Sequence, residues 1–246
     1  MPGPRSHERP IVLFDIDGTL IRTDRAGSRA MNRAFDDLFG IAGAFDGIQM
    51  AGRTDRWILE DAAARAGVDL SGGNFERFRE RYFARLREAL PAQERGHSIL
   101  RPAQGRRVLP GVRLLFDTIE ERQDIFPALL TGNCEQGARI KLEHFDLWRF
   151  FRCGAFGDEV TDRNHLFDEA LERAQACGAG RTRAADVVVV GDTLFDVACA
   201  KAAGARCVAV ATGPSDMETL ARAGADLVMP DLGDTRAFLR FVCVQI

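Results

Sequence analysis

Two aspartates stand two residues apart at the end of an apolar run: Ile11-Val12-Leu13-Phe14 leads into Asp15-Ile16-Asp17, and Gly18-Thr19-Leu20 follow. On a regular strand both carboxylates would share a face, and Gly18 lets the chain turn sharply beyond them. Carboxylates held that close repel each other, so one keeps a proton or the two share a cation. An Asx-rich turn without chemistry would use the same residue types. Two further clusters shift the balance. Gly191-Asp192-Thr193 with Asp196 places two more acids, one helical turn apart, after the apolar run Val187–Val190. Thr131-Gly132-Asn133 follows the run 125–130 and supplies a hydroxyl and a small-residue turn opening a helix, a setting suited to an anion. Taken singly, Asp196 also reads as a first-turn helix acid and Thr131 as an N-cap. Three such clusters at three strand ends are more than capping accounts for.

The elements that must hold these clusters are short apolar runs, including Cys207–Val210 and Leu227–Met229, alternating with helical patterns over 134–146, 164–177, 194–203 and 216–223. Continuous apolar runs separated by helices fit strands buried on both faces of a parallel sheet, with the helices as crossovers. The expected fold class is α/β, a Rossmann-like parallel sheet whose polar residues gather at the carboxyl ends of its strands, where ligands sit in such sheets. Pro127 is a misfit inside its run, because it cannot donate a ladder hydrogen bond; either the strand starts there or that position tolerates the missing N–H. Residues 22–107 have another texture. Met31, Ala34, Phe35 and Leu38 form one helical stripe and Phe75, Phe78, Tyr82 and Leu86 another, while Arg77, Arg81 and Arg85 line a face read as solvated. No buried-strand run is visible there, and a structureless loop of that length is improbable. The expected organisation is a flexible start over 1–10, a core from 11–21 and 108–246, and an inserted all-α cap over 22–107, with Pro91 to Arg107 as the return to the core.

Composition bounds the function classes. The chain has 246 residues, 46% hydrophobic and 28% charged, which fits a soluble globular protein with a sizeable core and excludes a fibre or a small disulfide scaffold. A net charge of −3 gives no basic footprint for nucleic acid or an anionic membrane, and no run approaches the length of a membrane helix. The six scattered cysteines and the absence of a signal-peptide pattern at Met1–Pro10 point to buried thiols in a reducing, cytoplasmic setting. Only Lys141 and Lys201 are lysines, which narrows any search for a catalytic one.

Phe14-Asp15-Ile16-Asp17-Gly18-Thr19-Leu20 resembles the first signature of the haloacid dehalogenase-like (HAD) superfamily. Leu130-Thr131-Gly132-Asn133 resembles its second, and Val190-Gly191-Asp192-Thr193-Leu194-Phe195-Asp196 its fourth. The insert after the first signature corresponds to the C1 cap of phosphoglycolate-phosphatase-like members. The third signature departs from the usual Lys: Lys141 lies too early, Lys201 too late, and Arg163 occupies the expected place before the helix leading to the fourth. Arginine there would still neutralise charge and hold phosphate by two hydrogen bonds.

The resemblance implies that Asp15 is the nucleophile of an aspartyl-phosphate mechanism and that Asp17 protonates the leaving group and then activates water. It implies Mg²⁺ held by Asp15, the Asp17 main-chain carbonyl and Asp192, oriented by Asp196, with Arg163, Thr131, Gly132 and Asn133 offsetting phosphoryl charge. Dehalogenating members lack the second Asp, so Asp17 favours a phosphoester. Arg53, in Ala51-Gly52-Arg53-Thr54-Asp55, resembles the cap turn that reaches the substrate; a plain helix start, Thr54 capping and Arg53 in solvent, is the alternative. His97, His165, Trp57 and Trp148 are read as structural. The expected function is Mg²⁺-dependent hydrolysis of a small phosphorylated metabolite. A sugar phosphomutase and a non-catalytic phosphate-binding protein are the rivals, and oligomeric state is left open.

Overall fold

The computed structural model describes residues 9–91 and 106–243. His97, residues 1–8 of the expected flexible start and most of the Pro91–Arg107 return lie outside these. Eight strands and the helices between them alternate along the described chain. The first half runs β1 (Ile11–Phe14), β2 (Ile21–Thr23), α1 (Ala26–Phe39), α2 (Asp55–Ala66), α3 (Asn74–Ala89), β3 (Arg106–Val108), α4 (Val112–Arg122), β4 (Phe126–Thr131) and α5 (Glu135–His144). The second half runs β5 (Gly154–Phe156), α6 (Leu166–Ala174), β6 (Val188–Gly191), α7 (Leu194–Ala203), β7 (Arg206–Val210), α8 (Met217–Ala223), β8 (Leu227–Met229) and α9 (Thr235–Cys243).

Six strands form one parallel sheet in the order β5-β4-β1-β6-β7-β8. The period-2 alternation of side chains sorts their residues between two cores. Val12, Phe14, Leu129, Val190 and Val208 face α4, α5 and α9, around Phe116 and Phe238. Ile11, Leu13, Leu130, Val189 and Cys207 face α6, α7 and α8, around Phe167, Val197 and Leu220. Both faces are covered, which is why these strands read as unbroken apolar runs. The chain moves outward from β1 to β4 and β5, then returns to β6 on the other side of β1. That reversal opens a crevice at the carboxyl ends of β1, β4 and β6.

Pro127 lies within β4, paired with Val12 of β1. The amides of β4 alternate in direction: Phe126 donates to Pro10 on the β1 side, and Leu129 donates to Cys153 on the other. The missing N–H of Pro127 therefore faces the β5 side, where pairing begins only at Leu129–Gly154. No ladder bond is lost. Strand β5, only three residues long, is an element that the apolar-run reading does not pick out, as are helices α4 and α9.

The described part of the insert is all-α apart from its boundaries. There β2 and β3 pair antiparallel, Ile21 with Val108 and Thr23 with Arg106, a ribbon that the sequence reading lacks because its exposed positions are arginines. Helices α1, α2 and α3 enclose their own core of Met31, Phe35, Phe45, Leu59, Phe78 and Tyr82, which continues onto Cys134 and Ile140 next to and within α5. Both expected stripes pack there, buried except at Leu38 and Phe75, which are half-buried at its edge. The arginine face of α3 is not simply solvated: Arg85 pairs with Asp37 at 2.8 Å and with Glu88 at 2.9 Å. Among the described residues, no helix is long and apolar enough to cross a membrane.

Candidate active site

The first cluster forms where β1 and β6 end side by side. Asp15 follows β1, its amide donating to Val190 at 2.9 Å. Asp192 follows β6, and Asp196 lies in the first turn of α7. One carboxylate oxygen from each of Asp15, Asp192 and Asp196 comes within 4.8 Å of the other two. Local structure fixes each acid. Thr193 and Asp196 form a capping box, with Asp196 Oδ2 accepting from the Thr193 amide at 2.9 Å and hydroxyl at 2.7 Å. Thr19 donates to Asp192 Oδ1 at 2.9 Å. Gly18, at φ +85°, allows the tight turn, and a Cβ there would lie 2.3 Å from Asp192 Oδ2.

Arg163, in the turn before α6, is the cation of this cluster. Its Nη2 lies 3.1 Å from Asp15 Oδ1 and 2.5 Å from Asp196 Oδ1, and donates to the Leu130 carbonyl at 3.1 Å. The place that the resemblance to the third signature assigns to a cation is therefore the place where a positive charge meets Asp15. Three buried carboxylates face this one guanidinium. Burial, only partly offset by Arg163 and reinforced by Asp196 and Asp17, pushes the Asp15 carboxyl up to about 6. Burial and the charges of Asp15 and Asp196 hold Asp192 well above the usual carboxylate range. Burial works to lower the Arg163 pKa, but Asp15 and Asp196 more than offset it, so the guanidinium stays charged. The shortfall of positive charge and the hard oxygen donors fit a divalent cation such as Mg²⁺. With both oxygens of Asp196 already engaged, Asp15 and Asp192 are the side chains with capacity left to ligate it.

The second cluster lies where the insert meets β4. A cavity of about 270 Å³ is lined from the core by Asp15, Asp17, Gly132, Asn133, Lys141 and Arg163, and from the insert by residues including Arg25, Met31, Arg53 and Tyr82. Thr131 is fully buried at the end of β4, its hydroxyl accepting from the Asn133 side chain at 2.8 Å. Arg53 is sandwiched between Trp57 and Phe195, its guanidinium carbon 4.3 Å and 4.6 Å from the ring centroids. Thr54 does cap α2, accepting from the Trp57 amide at 3.2 Å, yet Arg53 lines the cavity as well. The helix start is as the alternative had it, but Arg53 stacks between two rings at the cavity instead of standing in solvent. Trp57 thus contributes a stacking face, while Trp148 packs on the core and His165 is exposed.

Spacing missed two residues. Lys141, too early for the third signature, is buried in α5 and brings its ammonium 2.6 Å from Asp17 Oδ2. Asn133 precedes α5, eight positions before Lys141, so no shared helix face signalled their meeting in the sequence. Asp55 of α2 caps α5 from the insert, accepting from the Cys134 amide at 2.9 Å, and the Asp55 amide donates to the Gly132 carbonyl at 2.7 Å. The approach is so close that a Cβ on Gly132 would lie 2.1 Å from the Arg53 carbonyl oxygen. Arg79 of α3 adds an ion pair to Asp158 at 2.6 Å. The insert is seated on the core over the cavity.

Comparison with known proteins agrees with this arrangement. The family model for haloacid dehalogenase-like hydrolases matches residues 12–210. A phosphoglycolate phosphatase of Chromobacterium violaceum is 28% identical over 233 residues, 91% of this chain and 93% of its own length. Another, of Agrobacterium fabrum, is 23% identical over 209 residues, 85% of this chain and 83% of its own. Among solved structures, a mutant of CbbY from Rhodobacter sphaeroides in complex with xylulose-(1,5)bisphosphate superposes with a TM-score of 0.67 at 20% identity, covering 92% of this chain and 96% of that one. The fold, the match over 12–210 and the convergence of the three clusters agree: the chain belongs to the haloacid dehalogenase-like hydrolase family.

Proposed function

We propose that this phosphoric monoester hydrolase is Mg²⁺-dependent, acts on a small phosphorylated metabolite and works through an aspartyl-phosphate on Asp15. The observation that carries the reading is the position of Asp15: against Arg163 and the acids of β6 and α7 on one side, and open on the other to a cavity shared with the insert. Phosphoglycolate, the substrate in the names of the relatives, is a candidate by similarity, and a cavity bordered by Arg22, Arg25 and Arg53 suits an anionic leaving group.

Asp15, the main-chain carbonyl of Asp17 and Asp192 would hold the metal, with Asp196 locking Arg163 and the Thr193 turn in place. When bound, Mg²⁺ supplies the positive charge that lets a carboxylate approach a phosphate dianion. The rest falls to the chain. An Asp15 oxygen bonds to phosphorus as the bond from phosphorus to the ester oxygen breaks, and Asp17 delivers a proton to that departing oxygen. Thr131, Gly132 and Asn133, at the turn opening α5, hold the phosphoryl oxygens beside Arg163. Water then attacks phosphorus and gives its proton to Asp17, which frees Asp15 and releases phosphate. The seated insert excludes bulk water during both halves.

Phosphate release across a panel of small phosphomonoesters, phosphoglycolate included, tests the reading with and without Mg²⁺. Metal-dependent turnover that disappears in Asp15→Asn is expected. Metal-independent release, or full turnover by Asp15→Asn, would contradict it. Isomerisation of a sugar phosphate without phosphate release would assign a phosphomutase instead.

A further inference from the structure

Asp17 has its two carboxylate oxygens in different circumstances. Oδ2 is held by two donors, the Lys141 ammonium at 2.6 Å and the Asn133 side-chain amide at 2.9 Å. Oδ1 makes no hydrogen bond among the described residues, although Asp17 lines the cavity and its side chain is 40% exposed. The two donors brace each other. Lys141 also donates to Asn133 Oδ1 at 2.5 Å, and the same Asn133 amide nitrogen reaches Thr131 Oγ1 at 2.8 Å. An ammonium can only donate, which fixes the Asn133 flip: its oxygen faces Lys141 and its nitrogen faces Asp17. The lysine is deeply buried, its side chain 6% exposed, and a buried charge is kept only where acceptors pay for its desolvation. Asp17 and Asn133 are those acceptors.

We propose that Lys141 is the positioning residue for acid–base chemistry at Asp17: with Asn133 it pins Oδ2 and so assigns every proton transfer to Oδ1. The inference rests on the phosphatase reading above. In the protonated acid, an oxygen that accepts two donors is the carbonyl oxygen, and the hydroxyl is the other one. The proton therefore resides on Oδ1 and passes to the ester oxygen as the bond from that oxygen to phosphorus breaks. In the second half, water loses its proton to the same Oδ1 as it bonds to phosphorus. Without Lys141 the carboxylate can rotate and present either oxygen, and proton delivery loses its alignment.

Leaving-group dependence separates this role from a structural one. A p-nitrophenolate leaving group departs without a proton, whereas an alkoxide such as that of phosphoglycolate needs one. Comparing kcat/KM, which stops at departure of the leaving group, keeps the water step out of the measurement. Lys141→Met is expected to lower kcat/KM for phosphoglycolate or glycerol phosphate by about 10²-fold, the scale of lost general acid catalysis, and that for p-nitrophenyl phosphate by less than about 3-fold. Lys141→Arg should recover part of the alkyl activity. In an Asp17→Asn background, Lys141→Met should add little, because the two act as a unit. Equal losses on both substrates, or full additivity with Asp17→Asn, would overturn the proposal. Should Lys141→Met not fold, Lys141→Gln gives the same comparison with a smaller change in the substrate ratio, and an unchanged ratio overturns the proposal there too. Wild-type protein that hydrolyses neither ester class would remove the phosphatase reading itself.

Discussion

The two halves of the site balance charge in opposite ways. On the β6 side, Asp15, Asp192 and Asp196 outnumber their single cation, Arg163, and all four are buried. Toward the insert, cations border the cavity, with Arg22, Arg25 and Arg53 set against Asp24 and Asp55, while Lys141 pairs with Asp17. A region short of positive charge invites a metal ion. A region with positive charge to spare invites an anion. On the proposed reading, a phosphate ester at the junction between them, beside Asp15 and Asp17, would satisfy both.

The largest expected effect breaks the acidic half outright: Asp15→Asn should lower turnover by about 10⁴-fold or more, measured as phosphate release, as for other lost nucleophiles. Next, Arg163→Ala strands Asp15 and Asp196 with their common cation gone, and breaking a buried ion pair costs about 3–5 kcal/mol. Its melting temperature should fall sharply in chelator and recover in part with Mg²⁺; an unchanged melting curve would mean that the acids do not depend on Arg163.

The pH dependence of metal binding sharpens the same contrast. The unfolded Asp15 ionises near its ordinary value of 3.8 and the folded one near about 6, so between these pH values the folded protein holds the extra proton. Metal-free stability therefore receives a contribution that is lost as pH rises through that window. A cation requires the ionised acid, so stabilisation by Mg²⁺, read as a rise in melting temperature, should be larger at pH 7.5 than at pH 5. Equal rises would separate the acids from the metal.

Effects on the cationic half should be smaller. Arg53→Ala is expected to raise KM for an anionic substrate by about 10-fold, near the value of one charged hydrogen bond, with little change for p-nitrophenyl phosphate. The smallest change is at Asp55, whose carboxyl is raised above its ordinary value by burial against the opposing pull of Lys141 and the Cys134 amide. Asp55→Asn keeps an acceptor for that amide and removes a poorly solvated charge, so calorimetry should show near-wild-type stability at neutral pH. Asp55→Ala should cost about 1 kcal/mol, the usual worth of a helix cap.

The acidic half was the more legible in the sequence, for a physical reason. Each of its residues directly follows a buried strand or opens a helix, and the positions of parallel strand ends follow from the apolar runs that precede them. Arg163 was legible only through the resemblance to the third signature, which expects a cation just before α6. The cationic half depends on tertiary encounters: Lys141 meets Asp17 across 124 positions and Asp55 meets Cys134 across 79. Nothing local marks them. Likewise β5 is too short to stand out as an apolar run, and the β2–β3 ribbon carries arginines on its outer positions.

At Gly132 the insert touches the core through main chain alone. A contact made of carbonyl and amide groups has no rotamers to absorb a misfit, so a methyl group added at this position could only be accommodated by lifting the whole helical layer. The smallest residue in the site thereby sets the resting height of its roof, and with it how tightly a bound ester is shut away from solvent.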